Sequence, residues 1–373
     1  MAEVDLMKRW PGETDEAYPD VFTKMPPQPK ELKPGQLTQE QVEQFFEEGY
    51  VIVDDFFNRD EELEPVKKEI EGMVDDLANK LYAAGKIPEA YTELDFFNKL
   101  TAIDQAMPGA GTLLHKQALM PQSVGRVWSN ERLLNVAEQL LGTSDISGHP
   151  VWNLRTKTPQ NEASTVPWHQ DSGYLDNDSY KVMQLTAWIP LLDATKETGC
   201  MQMVPKGHRS GKIAKHHCCW RDTWYIMLEP EEMKETLGVD VKDAVTCPIP
   251  YGGLILFGNT IPHRSLNNTS DKIRWSLDLR WQRSDRPVGF YGMKDGVQMR
   301  TSQKAKVEID WDAFNAVTRQ EKSDKELHVQ DDEFSTTIAG PWMKKWEITH
   351  VNRHVQAMLD AGEGGTQWHG LAG

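Results

Sequence analysis

The chain has 373 residues, of which 39% are hydrophobic and 26% are charged, and its formal net charge is −16. This composition is typical of a soluble globular protein with a sizeable core. The acidic balance argues against nucleic acid as a partner, because a phosphate backbone is recognised by a basic surface. The longest apolar run, residues 254–257, is far too short to cross a bilayer, so no membrane partner is expected.

The cysteines are few and show no C-x-x-C pair of the kind used for zinc or redox chemistry. A reducing compartment is therefore expected. The stretch MAEVDLMKRW at the start of the sequence is polar and does not resemble a secretory leader. We expect a cytoplasmic protein, and the sequence does not indicate its oligomeric state.

The first predicted elements alternate between helix and strand. Thr38, with glutamine three residues on, forms a capping-box pattern that predicts a helix ending near Gly49, and the run YVIV then predicts a short strand. Two amphipathic helices are predicted over residues 60–84 and 130–142, each followed or ended by a glycine.

Short β-rich runs separated by turn clusters fill residues 148–283 and predict a barrel or sandwich. In residues 273–281 and 182–191, apolar and polar side chains alternate, which assigns the two types to opposite faces of each strand. One polar face carries Arg274. We therefore expect a polar, ligand-holding interior and an apolar exterior covered by helices.

Three regions follow from this pattern. Residues 1–37 are rich in proline and lack periodicity, which predicts an extended N-terminal arm. Residues 38–300 are predicted to form the β domain with its supporting helices. Residues 301–373 are predicted to be a C-terminal helical extension packed on the same domain, with the clearest helix over 340–362.

The stretch TVPWHQDSGYL places His169 and Asp171 two positions apart. On an extended chain these side chains project to the same face, and together they supply two of the three ligands of the facial triad found in non-haem Fe(II) oxygenases. A single H-x-D is a weak signal, and a surface histidine paired with an acid is the alternative. The adjacent pair at 216–217 and the i, i+4 pair at 350 and 354 lack a third ligand nearby.

His263 is the best candidate for the third ligand, because it follows an apolar strand and a short turn. If residues 251–281 form a hairpin about the turn cluster NNTSD, His263 lies opposite Arg274 as a cross-strand neighbour. Ser265 is two residues from His263 and shares its face. An arginine there suits the far carboxylate of 2-oxoglutarate, which its planar fork can bind through two hydrogen bonds, and Arg280 is the next candidate for that role.

The motifs HQD, GCMQMVPKGH and HRSLNNTSDKIRWSL, with EQFFEEGYVIVDDFF before them, resemble the phytanoyl-CoA dioxygenase family of Fe(II)/2-oxoglutarate oxygenases. The resemblance spans about residues 38–283. It implies a mainly β fold with flanking helices, a double-stranded β-helix of the jelly-roll or cupin-like type. It also implies iron on the two histidines and the aspartate, a C5 carboxylate held by Arg274 and Ser265, and a site lined by Trp188 and Gln170.

The substrate is less well indicated. The segment 206–221 is basic and contains no acid, so it is either a solvated loop or a lid that binds an anionic group. Polar residues on the strand before His169 are further candidates. The residues predicted to contact substrate are Asn153, Arg155, Arg209, Lys215 and Arg221.

These observations predict a dioxygenase that hydroxylates a small molecule, expected to carry an anionic group, with release of succinate and CO₂. It would use Fe(II), 2-oxoglutarate and O₂, and ascorbate is expected to stimulate it. Asp171 favours hydroxylation over halogenation, because halogenating relatives replace the iron-bound carboxylate with a small residue. The alternative is a barrel that binds a small molecule without catalysis.

Overall fold

The computed structural model describes residues 16–117, 119–221, 223–326 and 333–362. Residues 1–15 of the predicted N-terminal arm, and residues 327–332 and 363–373 of the predicted C-terminal extension, lie outside the described residues. The helices are α1 (Pro19–Thr23), α2 (Gln39–Glu48), α3 (Glu64–Ala83), α4 (Lys99–Ala106), α5 (Gly111–Gln117), α6 (Gln122–Trp128), α7 (Glu131–Leu141), α8 (Pro230–Glu232), α9 (Trp311–Asn315), α10 (Arg319–Glu326) and α11 (Arg353–Asp360). The strands are β1 (Tyr50–Val53), β2 (Ile146–Gly148), β3 (Asn153–Lys157), β4 (Leu185–Pro190), β5 (Met201–Met203), β6 (His217–Cys218), β7 (Val245–Cys247), β8 (Leu254–Gly258), β9 (His263–Ser265), β10 (Arg274–Arg283), β11 (Val297–Arg300) and β12 (Glu347–Ile348).

Two antiparallel sheets form the centre of the molecule. The major sheet has seven strands in the order β1-β8-β4-β10-β2-β11, with β3 also paired to β10. The minor sheet has the order β7-β5-β9, and an antiparallel bridge from His169 to His263 extends it. The two sheets face each other, and helices flank them. This arrangement is a double-stranded β-helix, so the predicted fold class is confirmed.

Local signals determine the predicted helices and their ends. The Thr38 side chain accepts a hydrogen bond from the Gln41 backbone, and α2 ends at Gly49 in the left-handed region. α7 likewise ends at a left-handed glycine, as predicted. The helix expected over 60–84 is confirmed for α3, which follows a π-helical turn.

The tail was predicted to be one helix over 340–362, and this is wrong for its first half. The structure has a 3-10 turn at Pro341–Lys344, then β12, and only then α11. The apolar residues of this segment face the barrel instead of following a helical stripe. They pack in a cluster with Cys218, Cys219 and Ile226, and β12 pairs in parallel with β6.

The adjacent cysteines of that cluster form a disulfide with each other. Their spacing in the sequence did not predict this bond. No helix among the described residues has the length and apolar character needed to cross a membrane.

Alternation along β10 separates the outer core from the interior, as predicted. Trp275, Leu277 and Leu279 are completely buried and join the large cluster formed with the helices. The opposite face of β10 is polar and equally buried, and it faces the minor sheet. A second, smaller apolar cluster, which includes Trp188 and Phe257, lies between the sheets and borders the polar end of this space.

The hairpin that was expected to pair His263 with Arg274 does not exist. β9 pairs with β5 in the minor sheet, whereas Arg274 pairs with Lys157 in the major sheet. The turn between β9 and β10 therefore carries the chain from one sheet to the other. His263 and Arg274 come together because they line the same cavity between the sheets, and not as cross-strand neighbours.

Candidate active site

His169, Asp171 and His263 converge at the polar end of the barrel interior. One ligand atom from each lies within 4.8 Å of the others, and all three residues are buried. The Asp171 Oδ1 atom is 3.4 Å from Nε2 of His169 and 3.7 Å from Nε2 of His263. Among the described residues, this is the one group of histidine, cysteine and acidic side chains whose geometry suits a metal ion.

The backbone sets the positions of the two imidazoles. His169 and His263 exchange both backbone hydrogen bonds, each with a 3.0 Å N···O distance. Gln170 is extended, with φ −105° and ψ 135°, so Asp171 returns to the face of His169 as the H-x-D spacing predicts. Asp171 then opens a short 3-10 turn that ends at Tyr174.

Each histidine also has a defined tautomer. Nδ1 of His169 donates to the Pro167 carbonyl at 2.8 Å, and Nδ1 of His263 donates to the Ile261 carbonyl at 3.0 Å. A carbonyl can only accept, so both protons are on Nδ1 and both Nε2 atoms have a free lone pair. This is the second-shell arrangement that orients imidazole ligands toward a metal.

Asp171 divides its two oxygens between two environments. Oδ2 accepts hydrogen bonds from Arg280, at 3.1 Å from Nε and 2.8 Å from Nη2, and lies 3.4 Å from the Thr186 hydroxyl. Oδ1 is thereby directed to the histidines. Burial acts to raise the pKa of Asp171, but the Arg280 charge and the neighbouring histidines outweigh it and hold this pKa well below the usual value.

The ligand set fits a divalent transition metal. Burial, and then the nearby His169, lower the pKa of His263 to about 3, so its imidazole is neutral at neutral pH and ready to donate its lone pair. Two imidazoles with free Nε2 lone pairs and one ionised carboxylate on one side of a point are the donors of a facial triad.

Arg274 lies in the same cavity and has little to bind within the protein. Its Nη1 donates to the Ser276 hydroxyl, its guanidinium carbon is 5.1 Å from the centre of the Trp188 ring, and its Nε is buried with no hydrogen-bond partner. Burial lowers the pKa of Arg274 to about 10, so the group stays cationic at neutral pH. A buried cation with an unused donor fits a carboxylate ligand.

Of the other residues predicted to hold 2-oxoglutarate, Ser265 and Trp188 line this cavity. Gln170 does not. Its side-chain NH₂ group donates to the Thr260 and Lys212 carbonyls and its oxygen accepts from the backbone of Ala214. Since Gln170 stands between two residues that face the cavity, its own side chain points away, and it supports the backbone instead.

A larger cavity adjoins the triad on the side of Asp171. It has a volume of about 80 Å³, and Arg155 and Arg280 line both cavities. The predicted substrate residues Asn153 and Arg155 line it too. Both bind Asp278 Oδ2, at 3.1 Å from Asn153 Nδ2 and 2.8 Å from Arg155 Nε.

The predicted lid at 206–221 is not supported by the position of its cations. Arg209 pairs with Glu47 at 2.5 Å, Lys215 pairs with Glu347 at 2.7 Å, and Arg221 pairs with Glu162. Arg209 and Arg221 are exposed at the protein surface, and Lys215 is partly exposed. The positive charges of these three side chains are balanced by acidic residues from distant parts of the chain. None of the three lines either cavity at the triad.

Several cavity residues were not predicted. The C-terminal extension supplies a wall of the larger cavity, through Arg319 and Ser323 of α10 and through Ile338, Ala339 and Trp342. The Trp342 indole donates to the Trp224 carbonyl at 3.1 Å, which fixes this wall against the barrel. No local motif marks these residues, because their role depends on where the chain returns after the last barrel strand.

A double-stranded β-helix with two histidines and an aspartate at its polar end is the architecture of a non-haem iron oxygenase. Comparison with known proteins agrees. A match to the phytanoyl-CoA dioxygenase family covers residues 45–276, which is more than half of the chain. The chain belongs to the phytanoyl-CoA dioxygenase family. The predicted enzyme class, an Fe(II)- and 2-oxoglutarate-dependent oxygenase, is confirmed.

Relatives agree with this family assignment, and a solved structure shares the fold. It is 23% identical to a phytanoyl-CoA dioxygenase of Arabidopsis thaliana over 269 residues, which are 67% of this chain and 90% of the relative. It is also 23% identical to phytanoyl-CoA dioxygenase domain-containing protein 1 of Danio rerio, over 68% of this chain and 92% of the relative. The solved structure of the non-heme monooxygenase ThoJ shares the fold, with a TM-score of 0.50 and 16% identity, over 78% of this chain and all of that one.

Proposed function

We propose that this protein is a dioxygenase that hydroxylates a small, anionic molecule and converts 2-oxoglutarate to succinate and CO₂. The observation that carries the proposal is the convergence of two free imidazole Nε2 atoms and one carboxylate oxygen beside a buried arginine with an unused donor. A metal site and a carboxylate receptor in one cavity are what an α-keto acid cosubstrate needs.

Each residue then has a defined role. His169, Asp171 and His263 hold Fe(II), and Arg280 orients Asp171 and keeps it ionised. Arg274 receives the far carboxylate of 2-oxoglutarate, with Ser265 beside it and Trp188 against the guanidinium. When bound, the iron would supply oxygen activation with O₂ and 2-oxoglutarate, and ascorbate would keep it reduced. The protein contributes geometry and a water-poor cavity.

The charge of the interior supports an anionic substrate. Four guanidinium groups line the two connected cavities, and two carboxylates lie among them. A divalent metal and a doubly charged 2-oxoglutarate cancel each other, so a positive balance remains after both have bound. Arg274 and Arg280 are buried and Arg155 and Arg319 are partly buried, so an unbalanced positive charge here is costly, and an anionic substrate reduces it. The charged residues concerned are Arg155, Arg274, Arg280, Arg319, Asp171 and Asp278.

Succinate and CO₂ release from 2-oxoglutarate tests the reaction. The protein is incubated with Fe(II), ascorbate and O₂, alone and with panels of candidate substrates, and succinate is measured. We expect slow release without substrate and faster release, matched by hydroxylated product, with the right one. An absence of succinate with every substrate, from protein that binds Fe(II), would favour the non-catalytic alternative.

A further inference from the structure

Arg319 is an unusual cation for its position. It is the first residue of α10, in the C-terminal extension, and it lies outside the segment that matches the family. Its side chain faces the larger cavity beside Asp171. The guanidinium has five N–H donors, and the structure gives it one hydrogen bond, from Nη2 to the Trp152 carbonyl at 3.3 Å.

The charges near Arg319 do not balance it. Arg280 and Arg155 are the neighbours whose charges act on it, and after burial they are the causes that lower the pKa of Arg319 to about 10. Those two arginines have carboxylate partners, because Arg280 binds Asp171 and Arg155 binds Asp278. Among the described residues, no acidic side chain forms an ion pair with Arg319.

The rest of this cavity is largely apolar. Its wall is made by aromatic and aliphatic side chains from the barrel, from the segment after β6 and from the C-terminal extension. The Trp342 ring is packed edge to face against Tyr174, and the Ser323 hydroxyl of α10 donates to the Ala339 carbonyl at 3.0 Å. The apolar residues used in this argument are Leu175, Trp224, Phe290, Met293 and Trp342.

We propose that the cavity binds an apolar organic acid whose carboxylate is received by Arg319 and whose hydrocarbon body contacts the aromatic wall. This inference rests on the proposed function, since it names the substrate class of the same site. An arginine fork binds a carboxylate through two parallel hydrogen bonds and so fixes its orientation. With the acid group held at α10, the hydrocarbon body extends toward the triad side of the cavity, where Asp171 lies.

The role of Arg319 differs from that of Arg274. Arg274 lies in the small cavity with His169 and His263, and Arg319 lies in the large one. The protein thus has one guanidinium for the cosubstrate and another for the substrate. Because the second is supplied by the C-terminal extension, this extension determines substrate class and not the reaction.

Binding to the metal-free protein tests the inference without any turnover. The probes are apolar monocarboxylic acids of about six to twelve carbons, straight-chain and cyclic, each compared with its own primary amide of the same shape. Affinity is measured by isothermal titration calorimetry and by quenching of tryptophan fluorescence. In the wild type we expect at least one acid to bind about tenfold or more tightly than its amide.

Substitution of Arg319 should remove that preference. In Arg319→Gln, acid affinity should fall by about 10- to 100-fold while amide affinity changes little, as expected for the loss of a charge-assisted hydrogen-bonded pair. Arg319→Lys should keep part of the affinity, and the surface variant Arg209→Gln should keep all of it.

Two results would overturn the inference. The first is a wild-type protein that binds no acid in the panel better than its amide. The second is an Arg319→Gln variant that keeps the full preference for the acid. Since these measurements use no iron, they remain informative even if succinate release fails, and the two proposals are tested separately.

Discussion

Basic side chains cluster in two regions of this molecule, the barrel interior and the surface segment 206–221, and the two differ in what neutralises them. In the surface segment, each candidate cation pairs with an acid from elsewhere in the chain. At the cavities, the buried Arg274 and the partly exposed Arg319 have no carboxylate partner among the described residues. A dense run of charge in a sequence therefore does not mark a ligand site, whereas burial of a cation without a counter-charge does.

The largest loss of activity is expected from substitution of the three proposed metal ligands in the barrel interior. His263→Ala should reduce succinate release to background, a drop on the order of 1000-fold, because a three-ligand metal site tolerates few losses. His169→Ala and Asp171→Asn should behave in the same way. Circular dichroism should report a folded protein, and His350→Ala, at an exposed histidine, should be fully active. Robust activity of His263→Ala would contradict the triad assignment.

Replacement of Arg274 should weaken the binding of 2-oxoglutarate and leave Fe(II) binding in place. Arg274→Gln should weaken 2-oxoglutarate binding by about 2–5 kcal/mol, because a charge-assisted partner is lost from a desolvated site. Fe(II) affinity should stay close to that of the wild type. The KM for 2-oxoglutarate measures the change, and Arg209→Gln is the matched control from the surface cluster. An unchanged KM would move the carboxylate receptor away from Arg274.

The ion pair behind Asp171 should affect the metal and leave the cosubstrate receptor in place. Arg280→Gln should lower metal affinity by about 10- to 100-fold, since it removes the group that orients and ionises the ligand. The pKa of Asp171 should rise without this cation, so metal binding should also shift to higher pH. Anaerobic Fe(II) titrations at several pH values measure both effects. Equal affinity in both proteins would show that Asp171 is oriented by other contacts.

Acid should destabilise the metal-free protein through its buried histidines. Burial lowers the pKa of these groups in the folded state, so protons bind first to the unfolded chain, and stability is lost as pH falls below about 6.5. Each contributes up to about 1.4 kcal/mol per pH unit in that window. Urea unfolding at pH 7.5 and 5.5 measures the loss, and His149→Gln should reduce it. The histidines with a lowered pKa are His115, His149, His208, His216 and His263.

The smallest effect is expected from the surface cluster. Combined replacement of Arg209, Lys215 and Arg221 by glutamine should leave succinate release and acid binding unchanged and shift the melting temperature by only about 1–2 °C, because exposed ion pairs are screened by water and salt. Differential scanning calorimetry and the binding assay measure this. A large loss of substrate affinity in the triple variant would restore the lid interpretation.

Local patterns in the sequence were sufficient for two of the three proposed metal ligands and for several elements. The H-x-D spacing places His169 and Asp171 on one face because Gln170 is extended, whatever the rest of the fold does. The capping box at Thr38 and the alternation along β10 are local in the same sense. The family motifs then brought His263 and Arg274 into the site, although the hairpin proposed to join them was wrong.

Tertiary structure alone decided how distant segments meet. Arg280 binds Asp171 because β10 crosses behind the triad, and the surface cations are neutralised because their acidic partners come from distant segments. The C-terminal extension contributes Arg319 to the cavity because its chain folds back over the barrel. Local periodicity determines the face of a strand or helix on which a side chain lies. Which residue lies opposite that side chain across a cavity depends on how segments far apart in the sequence pack together, and no short-range sequence pattern specifies this.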